Sequence, residues 1–493
     1  MTSHGVHFPT DASGTRSTTA LAQQVVSDAL RRQHPGWAQR ALDDRSWRTG
    51  YLTHFRHLLA AGLPSSDAWR TVAADGLASA HRRMVTVDAD GVSSPATDLL
   101  EVAATRKLRS VTVTGTGGPK PLAIPYRGEQ LSGSTLTTQL SRWADAGVLE
   151  PSAVEAVQAV ARHPEWLALS GQVVAALGAG SEMGPARTLL SWGATVAAVD
   201  LPGAAMWKRL LTHARQSAGT LLVPVDDHDA VRPDDLDALA EVAGGNLLTD
   251  VPELAEWLSD LPGTPVLGTY VYADGGAHVR LSVAADLLAQ RLRRRRPETA
   301  LAYLATPTDT FAVPTEAAAM ARARYTQRGA ASRATGQVLR MASGGRLLAP
   351  QYSVDDEVAV HDALVPVQGP NYAFAKRLQR WAATAARADG ARVSLHVAPA
   401  TRTRSVLKNR ALAAAYAGAH HFDVEIFAPE TANALMAALL VHDLSVESDT
   451  APVSWEDEAR GAVHGGLWRE AYEPRSALNL AAVLGAPGAL RRR

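Results

Sequence analysis

Residues 171–203, GQVVAALGAGSEMGPARTLLSWGATVAAVDLPG, constrain this chain more than any other stretch, because they read as strand, glycine turn, helix and second strand in direct succession. Gln172 to Leu177 is a short apolar run of strand type, and Gly178, Gly180 and Gly184 punctuate the entry into a helix. Pro185 suits the first helical turn, Gly193 ends the helix, and Ala194 to Val199 form the second strand. Glycines let a backbone turn sharply and approach a pyrophosphate, whose charge is met by unpaired amides at the helix N-terminus. Asp200 closes the second strand 22 positions after Gly178, where an acidic side chain can accept hydrogen bonds from an adenosine ribose. A carboxylate there would repel a ribose phosphate, so the position favours NAD over NADP. A glycine triplet is weak evidence in a chain with 38 glycines, and the flanking strands and the spacing of the acid are what strengthen it.

Alternation of strands and helices continues downstream. Thr220 to Val225 reads as a third strand ending in Asp226 and Asp227, a position suited to contact with an adenine ring or, equally, to a solvated strand end. Pro265 to Tyr272 is a fourth strand, Thr299 to Ala305 a fifth and Ala391 to Ala398 a sixth, with HHFDVEIF a further strand or its edge. Strands separated by helices of this length predict an α/β fold with a doubly wound, parallel sheet. Residues 311–370 interrupt the pattern and read as a lid or an interface. Upstream, residues 1–20 are rich in Ser, Thr and Gly and are expected to be disordered. Residues 21–165 form a mainly helical N-terminal domain, with three or four helices before Arg83 and core candidates in Trp37, Trp47 and Trp69. The nucleotide-binding unit spans 166–445, and 446–493 is a C-terminal extension whose HGGLWREAYEP run has no evident assignment.

Composition removes several classes of function. With 49 basic and 49 acidic residues there is no global field to draw the chain to nucleic acid or to an anionic membrane. There is no cysteine, so disulfides, thiolate metal sites and a cysteine nucleophile are excluded. No metal site is expected, because His420 and His421 are adjacent and the pair His361 and Asp362 has no partner at ligand spacing. The N-terminus lacks a charged start followed by an apolar core, and no stretch approaches a membrane span, so a cytoplasmic protein acting on a small molecule is the expectation.

Only five of the 49 basic residues are lysines, and one of them stands in NYAFAK. Tyr372 and Lys376 are four apart at the start of an amphipathic helix, which puts both on one face. An ammonium near a tyrosine stabilises the phenolate and makes the side chain able to give or take a proton at a carbonyl or alcohol carbon. Arginine would alter that geometry, which makes a lysine in an arginine-rich chain informative.

GQVVAALGAGSEMG, GATVAAVDLP, YAFAK, ARVSLHVAPATRT and PETANALMAALLVH, in this order, resemble the short-chain dehydrogenase/reductase superfamily over roughly residues 170–445. The resemblance implies a seven-stranded parallel Rossmann-type sheet, a nicotinamide cofactor, and hydride transfer between it and a carbonyl or alcohol. Tyr372 would be the acid/base, and Lys376 would bind the nicotinamide ribose and lower the tyrosine pKa. Gly178, Gly180, Gly184 and Asp200 would hold the adenosine half, and Thr401 and Thr403 would contact the nicotinamide end. A homodimer or homotetramer is also implied. Three departures stand out. Glu182 replaces the middle glycine of the family turn and must point away from phosphates. YADGG replaces the Asn-Asn-Ala-Gly element after the fourth strand, and Ala359 occupies the place of the catalytic serine. Thr308 or Thr306, at the end of the fifth strand, could supply the missing hydroxyl, with Ser353 a weaker substitute. These departures favour the alternative, a non-catalytic nucleotide-binding scaffold or sensor, while retention of Tyr372 and Lys376 opposes it.

Overall fold

The computed structural model describes residues 4–354, 357–447 and 453–490. Its centre is a seven-stranded sheet of β1 (Leu108–Thr114), β2 (Gln172–Leu177), β3 (Thr195–Val199), β4 (Thr220–Asp226), β5 (Thr264–Thr269), β6 (Ala300–Ala305) and β7 (Val393–Val397). The strands lie in the order β7-β6-β5-β2-β3-β4-β1. All neighbours are parallel except β1, which runs antiparallel to β4 with Leu108 opposite Asp226 and Thr114 opposite Thr220. After β4 the chain crosses back to lay β5 on the other side of β2. The loops leaving β2 and β5 therefore diverge to opposite faces and leave a crevice between them.

The wholly parallel expectation is corrected at β1. This strand comes from the segment assigned to the N-terminal domain, and no parallel strand follows β7 among the described residues. Val111 and Val113 are buried while Thr112 and Thr114 are exposed, the period of two that suits an edge strand with one wet face. HHFDVEIF likewise forms no sheet strand: a 3₁₀ turn covers Ala419–Phe422, and Phe427 makes only an isolated bridge to Thr401.

Successive residues of β2 serve different cores. Val173, Ala175 and Leu177 face one, Val174 and Ala176 the other, which is why the strand reads as an unbroken apolar run. The first core also takes in the helices α1 (Thr18–Arg31), α2 (Pro35–Asp43), α3 (Trp47–Gly62) and α4 (Ser66–Arg83), so the helical N-terminal segment packs on the sheet layer instead of enclosing a core of its own. One close seam lies between Gly76 of α4 and Trp381 of α5 (Pro370–Ala388), where a Cβ on the glycine would stand 2.3 Å from the indole. The expected disorder before residue 20 is also corrected for residues 4–20. Gly5–His7 pairs with Val85–Val87, the Val6 amide donates to the Leu248 carbonyl at 2.8 Å, and Val6 and Phe8 are buried. Two apolar side chains outweigh a polar composition there.

The interruption at 311–370 is bracketed by an antiparallel pair, Thr310–Val313 with Ala359–Asp362, enclosing the helices Thr315–Thr326 and Ala330–Ala342. A buried charge cluster anchors it. Asp309 accepts from Arg377 at 2.8 Å and from Arg380 at 2.7 Å, and Arg380 also pairs with Glu458. Among the described residues no helix is long and apolar enough to cross a membrane.

Candidate functional site

A cleft of about 1230 Å³ opens where β2, β5, β6 and β7 end, and Leu177, Thr269, Ala305 and Ala398 form part of its wall. Gly178 leaves β2 with φ +82°, a backbone conformation that glycine adopts without strain, and its amide donates to the Val199 carbonyl at 2.8 Å. The Gly178 carbonyl then accepts from the Ser181 amide at 2.9 Å, which closes the turn. The helix that follows is short, Ala186–Trp192, and ends at Gly193 with φ 98°.

Asp200, at the end of β3, reaches back to this turn. Its Oδ2 accepts from the Gly180 amide and its Oδ1 from the Leu201 amide, both at 2.8 Å. Burial raises the carboxyl pKa, and these two amides work against that rise. A Cβ on Gly180 would stand 3.1 Å from Asp200 Oδ2 and 2.8 Å from Met206 Cγ, so the bare backbone is what admits the carboxylate. Glu182 also lines the cleft, where its carboxylate accepts from the Arg404 amide at 2.9 Å and pairs with Arg404 Nε at 3.2 Å. Gly178, Gly180 and Asp200 line the cleft, whereas Gly184 does not: its carbonyl accepts from the Asn433 side chain instead. Asp226 also lies outside, held by Arg106 at 3.3 Å and by the His228 amide. Its place at the end of β4, beside the antiparallel β1, takes it away from the crevice.

The opposite wall carries Tyr372 and Lys376 from the first turns of α5. Burial pushes the Tyr372 phenol up to about 12, and the neighbouring Thr306 hydroxyl works against the rise. Lys376 donates to the Leu304 carbonyl at 3.1 Å and to Gln379 Oε1 at 3.0 Å, and burial brings its ammonium down to about 8. The pair thus shares a wall, but burial governs both groups and the tyrosine pKa moves up, not down.

Thr306 supplies the hydroxyl beside Tyr372, and Thr308 stands one place behind, with its Oγ1 2.9 Å from that of Thr306 and 2.7 Å from the Gln368 amide that donates to it. Both threonines line the cleft, and Ser353 and Ala359 do not. Thr401 and Thr403 also line it. The Thr401 hydroxyl donates to the Pro399 carbonyl at 2.8 Å, and the Thr403 hydroxyl lies 2.9 Å from that of Ser405.

Three residues near this centre escaped the sequence reading. His278, in the first turn of the helix Gly276–Arg295, is fully buried with its ring centroid 5.6 Å from Tyr372 and 5.4 Å from Tyr272. Burial and the neighbouring Lys376 charge depress it to about 3, so it is neutral. The only signal was its place directly after the loop that replaces the family's fourth-strand element. Tyr416 and Glu470 also line the cleft, from segments whose sequence carries no motif. Among the described residues no group of three or more His, Asp or Glu side chains is arranged to hold a metal ion. No family model, no curated protein and no solved structure matches this chain.

Proposed function

We propose that this protein is an NAD(P)-dependent oxidoreductase with a Rossmann-type nucleotide unit, reducing a carbonyl or oxidising an alcohol. The observation that carries the reading is the meeting, in one cleft, of the Gly178–Asp200 turn with Tyr372, Lys376 and Thr306, from strands that flank the crossover point of the sheet. The strand order supports the Rossmann assignment, since β4-β3-β2-β5-β6-β7 is the arrangement in which a dinucleotide lies across the β2 and β5 ends.

The residues fit a dinucleotide. Each Asp200 oxygen accepts one backbone amide and keeps a lone pair for a ribose hydroxyl. Glu182 pairs with Arg404, which partly offsets its charge beside a diphosphate at the turn. Lys376 lines the same cleft as Thr401 and Thr403, and there it would hold the second ribose. When bound, the nicotinamide supplies or accepts the hydride. Tyr372, protonated at neutral pH, donates its proton to the substrate carbonyl oxygen, and Thr306 orients the phenol and offers a second hydroxyl to that oxygen. The neutral imidazole of His278 packs behind the tyrosine without adding charge.

A second reading, a nucleotide sensor without turnover, is favoured by one observation: Lys376 hydrogen-bonds Leu304 and Gln379 while the Tyr372 phenol stays high. Titration with NADH and with NADPH, followed by quenching of tryptophan fluorescence, tests the common part. NADH is expected to bind more tightly, and Asp200→Ala to weaken it. Absence of quenching by either cofactor at millimolar concentration overturns both readings, whereas binding without turnover on any carbonyl of a broad panel selects the sensor.

A further inference from the structure

Beyond Tyr372 the cleft continues into an apolar lobe. It is built by the helices Arg410–Gly418 and Pro474–Leu490 and by the turn Ala419–Phe422, with Leu412, Phe422, Ile426 and Leu478 on its walls. One ionisable side chain interrupts this surface. Glu470 is 3 % exposed, it lines the cleft, and its Oε1 is buried with no hydrogen-bond partner among the described residues. A buried carboxyl left unpaired costs free energy of folding unless something completes its hydrogen bonding. Tyr416, from the helix Arg410–Gly418, lines the same cleft as Tyr372 and so connects the lobe with the reacting end.

We infer that this lobe is the subsite for the distal part of the substrate, and that Glu470 there hydrogen-bonds an uncharged oxygen, a hydroxyl or carbonyl, on an otherwise apolar molecule. The inference rests on the oxidoreductase reading for the end of the substrate that reaches Tyr372. Burial, reinforced by the nearby Asp423, raises the Glu470 carboxyl well above the usual carboxylate range, while Arg324 works against the rise. A protonated carboxyl both donates and accepts, which suits a neutral oxygen. An ammonium group would instead require ionising Glu470 and burying two charges among apolar walls, with desolvation of both. The substrate class is thus a hydrophobic ketone or alcohol carrying a second oxygen remote from the reacting carbon.

Calorimetric titration of the full chain, with and without saturating NADH, tests this with methyl decyl ketone, its ω-hydroxy analogue and its ω-amino analogue. A flexible chain lets the terminal group reach Glu470 over any spacing up to the chain's own extended length. The ω-hydroxy ketone is expected to bind about tenfold more tightly than the unsubstituted ketone. Glu470→Gln, which keeps a donor and an acceptor, retains that preference and Glu470→Leu removes it. Equal affinity for the hydroxy and unsubstituted ketones, tightest binding of the amine, or no binding of any of the three overturns the inference. Because the cofactor is titrated separately, NADH binding without the hydroxyl preference rejects this subsite alone. A hydroxyl preference without NADH binding rejects the cofactor reading alone.

Discussion

Glu150 and Arg469, 319 positions apart in the chain, meet through two hydrogen bonds of 3.0 and 2.7 Å. His464 adds a third contact to the same carboxylate at 2.9 Å, and all three side chains are buried. Breaking a buried pair leaves an uncompensated charge, so Glu150→Gln or Arg469→Met should each cost about 3–5 kcal/mol in urea unfolding. The double variant Glu150→Leu with Arg469→Met should recover part of that loss. Burial opposes ionisation of Glu150, yet His464 and Arg469 outweigh it and bring the carboxyl down to about 2, from an ordinary 4.5. The folded-state pKa is depressed, so this contribution is fully present above pH 4.5 and is lost as pH falls toward 2. Melting curves of wild type and Glu150→Gln should converge across that window.

Tyr372→Phe should leave NADH binding intact and lower turnover by about 10²–10⁴-fold, the usual worth of a positioned acid. Thr306→Val should reduce kcat more than Thr308→Val, because Thr306 is the threonine whose hydroxyl acts on the phenol. Equal effects of the two valine variants would point to a role for the pair in holding the loop instead.

Lys376 gives a prediction of opposite sign for stability and binding. Burial depresses its ammonium from 10.5 to about 8, so between these values the unfolded chain holds a proton that the folded one has released, and stability rises with pH. Lys376→Met should therefore raise the thermal midpoint at pH 7, with a gain on the order of 1 kcal/mol after loss of the bonds to Leu304 and Gln379. NADH affinity should fall in the same variant. A drop in both would mean that the lysine is structural.

The glycine turn discriminates between strain and crowding. Gly178→Ala places a Cβ 3.0 Å from the Tyr270 carbonyl oxygen at φ +82°, where backbone cannot give, and should cost roughly 1–3 kcal/mol. Gly180→Ala meets mainly the flexible Met206 side chain, so its stability cost should stay near 1 kcal/mol or below while NADH binding weakens through displacement of Asp200. Chemical denaturation alongside cofactor titration separates the two.

Much of this arrangement was legible in linear order. Residues 172–200 fold as their pattern predicts, with Asp200 at the end of β3, because strand, turn and helix signals within thirty residues act locally through φ preference, apolar period and capping. The four-residue spacing likewise puts Tyr372 and Lys376 on one wall, since helix geometry alone sets it. Asp226 misled because a strand end is recognisable from sequence but its distance from the crevice depends on strand order. The antiparallel β1, pairing across more than a hundred residues, carries as its signal only a short alternation, with Val111 and Val113 buried and Thr112 and Thr114 exposed.

The tyrosine's acidity shows where local reading stops. An ammonium four residues away announces a lowered pKa, but desolvation by the whole surrounding wall decides the direction, and that wall is assembled from β6, α5 and the loop holding Thr306. Glu470 is the same case in stronger form. Nothing in HGGLWREAYEP marks a buried acid, because burial is a property of what folds around a residue, and here Asp423 and Arg324 are brought near it from distant parts of the chain. Backbone conformation and helical spacing follow from neighbours in sequence, whereas dielectric environment, strand order and the meeting of distant side chains arise only when the cores form.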